Sequence, residues 1–140
     1  CLCQEILDTI DAGFVPVISP LGRHEETEQT HNINADIAAA ALACALKPAK
    51  LVYLSDVPGL LRDPSDQESL IESVTKTEAE EFIKSGVITG GMIPKIQSAL
   101  EALSRGVEKV HFIDGRVPHT LLLEIFTRSG IGTEILASSE

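Results

Sequence analysis

The sequence predicts an α/β domain built on a largely parallel sheet. Short apolar runs of strand character, Phe14–Ile18, Lys50–Ser55 and Val107–Ile113, alternate with segments of helical periodicity. The 140 residues are 44% apolar and 23% charged, which suits one domain with a buried core and argues against a disordered chain. No internal repeat or linker-like stretch divides the chain, so residues 1–140 read as a single domain.

Each element follows from local pattern. Leu2, Ile6, Leu7 and Ile10 share helical spacing, and Gly13 ends that helix. Phe14–Ile18 reads as a short buried strand. Arg23–His31 is polar and reads as a surface hairpin or loop. Asn34 can cap a helix over Ala35–Lys47, whose alanines suit close packing on a sheet, and Pro48 ends it. Lys50–Ser55 is continuously apolar in the manner of a strand buried on both faces. Asp56-Val-Pro-Gly59 and Asp63-Pro-Ser-Asp66 are turns.

Thr77-Glu-Ala-Glu80 fits a capping box opening a helix that runs to Gly86. A glycine-rich bend, Gly86 to Gly91, precedes a helix with Ile93, Ile96, Leu100 and Leu103 on one face and Gly106 at its end. Val107–Ile113 is the third strand, Pro118 opens a helix to Thr127, and Ile131–Leu136 reads as a final edge strand.

Charge narrows the partners. Eleven Lys and Arg stand against 21 Asp and Glu, a net charge of −10. Nucleic acid and anionic membrane surfaces need a basic face, so neither is expected. The longest nearly uncharged apolar run, Ile37–Leu46, is about half of the roughly 20 residues a membrane span needs. The three cysteines, Cys1, Cys3 and Cys44, have no metal-like grouping, and with no leader-like opening the expected location is the cytoplasm. The chain begins at Cys1 and enters a helix at once, which reads as a piece of a longer protein.

Four segments carry candidate chemistry. In His31-Asn-Ile-Asn-Ala-Asp36, Asn32 and Asn34 alternate, so in extended chain their amides can clamp a carboxylate beside a helix N-terminus, with Asp36 in the first turn. By spacing alone an ordinary helix start is the stronger reading. Gly86-Val-Ile-Thr-Gly-Gly-Met-Ile-Pro-Lys95 is not a P-loop, because Met92 stands where the lysine must be. It nevertheless puts Lys95 in a helical first turn, where an exposed cation costs roughly 0.3–1 kcal/mol unless an anion lies beside it. The other reading is a solvated lysine after a simple turn.

Leu54-Ser-Asp-Val-Pro-Gly-Leu60 follows a strand, where open α/β sheets bind ligands, so Ser55 and Asp56 can meet a nucleotide's polar groups. Read alone it is a turn. His111 lies on a strand, Glu124 on the next helix and Gly130 beyond it. A lone strand histidine is more often a satisfied core residue than a ligand site.

Taken together, Asn32-Ile-Asn-Ala-Asp36, Leu54-Ser-Asp-Val-Pro-Gly-Leu60, Gly90-Gly-Met-Ile-Pro-Lys95 and Leu123-Glu-Ile-Phe126 with Gly130-Ile-Gly-Thr133 resemble the amino-acid kinase family in order and spacing. The match is to the C-terminal, nucleotide-binding half of its acetylglutamate kinase branch, from about Gly13 to Leu136. Carbamate kinase, glutamate 5-kinase, aspartokinase and uridylate kinase share the fold and fit the Asn-Ile-Asn-Ala-Asp and Gly-Gly-Met-Ile-Pro-Lys strings less well.

The resemblance implies a three-layer α/β/α sandwich, truncated at its N-terminus. It also implies transfer of the ATP γ-phosphoryl group, with Mg²⁺, to the side-chain carboxylate of N-acetyl-L-glutamate in arginine biosynthesis. It assigns Lys95 to the transferring phosphates and Asp36 to orienting Lys95. Asn32 and Asn34 fall to the acceptor substrate. Ser55, Asp56, Val57, Gly59, Leu60, Gly90, Gly91 and Met92 fall to the nucleotide. His111, Glu124 and Gly130 match members inhibited by arginine. Homo-oligomers are expected of the full-length protein. No residues are assigned to a metal. The first Gly-rich loop, a second lysine and most of the acceptor pocket belong to the family's N-terminal half, so this chain alone is expected to bind nucleotide weakly and not to turn over. Another amino-acid kinase with a different acceptor, a non-catalytic nucleotide or arginine sensor, and a siteless structural domain stand as alternatives.

Overall fold

The structure, a computed structural model, describes residues 2–127 and 130–137. Helix α1 (Leu2–Asp11) is followed by an exposed antiparallel hairpin, β1 (Leu21–Arg23) with β2 (Thr30–Asn32), and then α2 (Ala35–Leu46). Strand β3 (Lys50–Ser55) leads into a small ribbon, β4 (Leu60–Leu61) with β5 (Leu70–Ile71). Strand β6 (Ser73–Thr75), α3 (Lys76–Lys84), α4 (Met92–Ser104), β7 (Lys109–Asp114), α5 (Thr120–Phe126) and β8 (Thr133–Leu136) complete the chain. The central sheet has four strands in the order β3-β7-β8-β6. Pairings β3–β7 and β6–β8 are parallel and β7–β8 is antiparallel, so the sheet is mainly parallel.

Strand alternation sorts the layers. Tyr53, Val110, Phe112, Ile135 and Val74 point to one face and pack with Ile96, Ala99, Leu100 and Leu103 of α4 and with Ala43 of α2. The Tyr53 and Phe112 rings stack with centroids 5.0 Å apart. The opposite face of β7 carries His111, whose Nδ1 pairs with Glu124 of α5. Helices therefore flank the sheet on both sides, and the α/β/α sandwich stands. No helix among the described residues is long and apolar enough to cross a membrane.

The sequence reading needs five corrections. Phe14–Ile18 forms no strand: Phe14 is 69% and Val17 95% exposed, because no strand among the described residues lies alongside to take its hydrogen bonds. Strand β3 is buried on one face only: it is the edge of the sheet among the described residues, and on its second face Lys50 and Leu54 are exposed. The capping box of α3 is Thr75 with Glu78, two residues earlier than expected. Helix α5 starts at Thr120 and not at Pro118, because His119 is left-handed (φ 62°) and interrupts any earlier turn. Strand β8 is internal, held between β7 and β6. The β4–β5 ribbon and β6 were not foreseen. Of the cysteines, Cys1 lies outside the described residues, and Cys3 and Cys44 are free thiols.

Candidate functional site

Two helices present their first turns to each other. Helix α2 opens with Asn34, whose Oδ1 accepts from the amides of Asp36 (2.9 Å) and Ile37 (3.2 Å). That carbonyl is spent on the cap, so only the amide nitrogen of Asn34 is left for a ligand. Asp36 follows in the first turn, where the helix dipole favours a carboxylate. Helix α4 opens after Gly90 and Gly91 with no side-chain cap, and Lys95 lies in its first turn. The Lys95 ammonium donates to Asp36 Oδ2 at 2.9 Å, with both side chains about three-quarters buried at 26% and 27% exposed. Charge that opposes the dipole of α4 is thus already answered from within the chain.

Strand β3 holds this pair in register. The Tyr53 hydroxyl donates to the backbone carbonyl of Asp36 at 3.2 Å, which ties the first turn of α2 to the sheet. Burial pushes the Tyr53 phenol well above its ordinary value, and the charge of Asp36 adds to the shift, so the group stays a neutral donor. Asn34, Asp36, Gly91 and Lys95 line one end of an open cleft of about 720 Å³ between α2 and α4.

A second cavity, of about 170 Å³, opens beside the start of α4. Val57, Gly59, Leu60 and Leu61 form one side, and Val87, Ile88, Thr89 and Met92 form the other. This is a mainly apolar slot with backbone close at hand, the kind of surface that accepts a flat heterocycle. Four of the residues assigned to a nucleotide, Val57, Gly59, Leu60 and Met92, converge here from two separate segments. Gly91 lines the neighbouring cleft, while Gly90 (φ 57°) shapes the bend and lines neither. Leu61, Ile88 and Thr89 were missed by sequence reasoning: Leu61 lies in a ribbon with two residues per strand, and Ile88 and Thr89 lie in the bend before α4, and neither has a readable periodicity.

Ser55 and Asp56 stand at the carboxyl end of β3, outside the slot, with Ser55 Oγ 3.4 Å from Asp56 Oδ1. Beside them Asp114 ends β7 in register with Ser55. Its carboxylate accepts from Arg116 Nε (2.9 Å), Nη2 (2.7 Å) and backbone N (2.9 Å). The Arg116 guanidinium holds the Asp114 carboxyl down at about 2. A depressed folded-state value contributes stability above the ordinary range near 3.9 and loses it as pH falls through about 2. Asp114→Asn is therefore expected to melt at a lower temperature than the unaltered chain at pH 7, with the gap closing between pH 4 and pH 2. A gap that does not change with pH would show that this charge is not what matters.

A third cavity, of about 350 Å³, gathers His111, Glu124 and Gly130 with Lys109, Gly132 and Glu134. Glu124 Oε2 accepts from the Ile131 amide at 3.2 Å, and His111 Nε2 is buried with no hydrogen-bond partner. Asn32 is exposed on β2 and lines none of the three cavities. Among the described residues no group of three or more His, Cys, Asp or Glu is placed to hold a metal ion.

The fold is a mainly parallel α/β sandwich that brings an apolar slot, a glycine-rich bend and a lysine at a helix start to one end of α4. Residues 3–114 match the amino acid kinase family, and the chain belongs to that family. It is 60% identical over 136 residues to an acetylglutamate kinase of Akkermansia muciniphila, covering 97% of this chain and 46% of that protein. The chain thus spans about half the length of the relatives it matches. Among solved structures, it superposes on N-acetylglutamate synthase of Neisseria gonorrhoeae complexed with coenzyme A and L-arginine, with a TM-score of 0.87 and 34% identity over 97% of this chain and 31% of that one. The same synthase complexed with coenzyme A and N-acetyl-glutamate gives a TM-score of 0.88 at 33% identity, over 99% and 31%.

Proposed function

We propose that this chain is the nucleotide-binding half of an acetylglutamate kinase, which transfers the γ-phosphoryl group of ATP to the side-chain carboxylate of N-acetyl-L-glutamate. The observation that carries the reading is the Asp36–Lys95 pair, set where the first turns of α2 and α4 meet and close to an apolar slot. The names of the most similar relatives support the same acceptor. The slot takes the adenine ring between the Gly59–Leu61 wall and Met92. The amides of the α4 first turn and Lys95 then lie toward the phosphates.

ATP supplies the phosphoryl group and, in this reading, carries Mg²⁺ with it, since Mg²⁺ is commonly bound largely through substrate phosphates. Lys95 offsets negative charge on the oxygens of the transferring group. Asp36 keeps the ammonium in place but is not a base, because an ionised carboxylate nucleophile has no proton to lose.

The polar cavity around Glu124 supports a regulatory reading. A buried carboxylate, a His111 Nε2 that makes no hydrogen bond and lies 4.0 Å from Glu134 Oε2, and acidic Glu134 itself suit a guanidinium, and the gonococcal synthase was solved with L-arginine. Calorimetric titration of this chain with the nonhydrolysable analogue AMP-PNP and with L-arginine tests both readings. Single-site binding of AMP-PNP is expected, as is binding of L-arginine that Glu124→Gln removes and L-citrulline does not reproduce. Absence of AMP-PNP binding at millimolar concentration would overturn the kinase reading, and arginine binding that survives Glu124→Gln would overturn the regulatory one.

A further inference from the structure

Thr133 is 1% exposed, yet its hydroxyl is fully used. The Oγ1 accepts from the Leu60 amide at 2.8 Å and donates to the Ile71 carbonyl at 2.6 Å. One side chain on β8 thereby staples both strands of the β4–β5 ribbon, which lie more than sixty positions away in sequence. The adjoining turn is pressed against the same hydroxyl. Gly59 has φ +151°, and a Cβ there would stand 2.5 Å from Thr133 Oγ1. Gly59, Leu60 and Leu61 are one wall of the slot.

A two-stranded ribbon with two residues per strand is not stable alone, so its position must come from what it is tied to. Strand β8 is a firm anchor because it is laddered on both sides, to β6 and to β7. We propose that Thr133 is a positioning residue for nucleotide binding: its hydroxyl sets the wall of the slot without touching the ligand. The proposal rests on the nucleotide reading above. A valine at this position keeps the shape but removes both bonds from β8 to the ribbon, leaving the buried Leu60 amide and Ile71 carbonyl only each other across the β4–β5 ladder, whereas a serine keeps both bonds.

The test compares the unaltered chain with Thr133→Val and Thr133→Ser by AMP-PNP calorimetry and by amide hydrogen exchange. T133V is expected to bind AMP-PNP about tenfold or more weakly, and T133S within about twofold of the unaltered chain. Without nucleotide, the Leu60 amide is expected to exchange about tenfold faster in T133V, while the amides of Val110 and Ile135 keep their rates. Equal affinity in T133V, or an unchanged Leu60 rate, would overturn the proposal. An unaltered chain that binds no AMP-PNP would instead overturn the nucleotide reading, leaving the Leu60 rate to decide whether Thr133 holds the wall. Thr133→Cys, which keeps the volume and weakens both bonds, carries the same readouts if T133V does not fold.

Discussion

Replacing Lys95 with alanine is expected to lower turnover by about 100- to 1,000-fold while nucleotide affinity stays within about threefold. The measurement needs a complete enzyme, made by joining this chain to the remaining half of the Akkermansia relative and assaying acetylglutamate-dependent ADP release. The ammonium sits in the first turn of α4, clamped at 2.9 Å to a carboxylate fixed by its own helix and by Tyr53. Such preorganisation matters most when charge develops on the transferring group, and much less for the ground-state nucleotide, whose ring the proposed function assigns to the slot. Stability should change little, because Asp36 remains favourably placed at the start of α2 once its partner is gone. A Lys95→Ala enzyme with near-normal turnover and poor affinity would make Lys95 a binding residue, and would favour a nucleotide sensor.

Phe112→Ala is expected to destabilise the chain by about 3–5 kcal/mol. Phe112 is completely buried at the centre of the helical face of β7 and stacks on Tyr53. Truncation removes a large apolar surface from the core and leaves a cavity that a well-laddered strand cannot collapse to fill. The loss is a large share of the roughly 5–15 kcal/mol that holds a typical domain together. Urea unfolding followed by circular dichroism measures it, and a loss below about 1 kcal/mol would mean that the site relaxes freely or that the ring is not in the core.

What could be read from the chain in advance was whatever depends on near neighbours. Helices α2 and α4 carry their apolar faces and their start signals within one or two turns, so Asn34, Asp36 and Lys95 could be placed at helix starts from spacing alone. Strands β3 and β7 announced themselves as apolar runs between breakers. The motifs that resemble a kinase family were likewise short and contiguous.

Pairing across long separations was decided only by the tertiary structure. Thr75-Lys-Thr-Glu78 and Thr77-Glu-Ala-Glu80 both fit a capping box. The first is used because β6 pairs through Thr75 with Leu136, and the helix begins where that ladder stops. The edge position of β3, the internal position of β8 and the unpaired state of Phe14–Ile18 depend on which strands lie alongside, which periodicity within a segment does not encode. The slot is the sharpest case, because its two walls come from separate segments and one wall hangs on the hydroxyl of Thr133. A local pattern specifies whether a residue is helical or extended; a site is specified by where distant backbone groups satisfy one another's hydrogen bonds, and that is settled when the core closes.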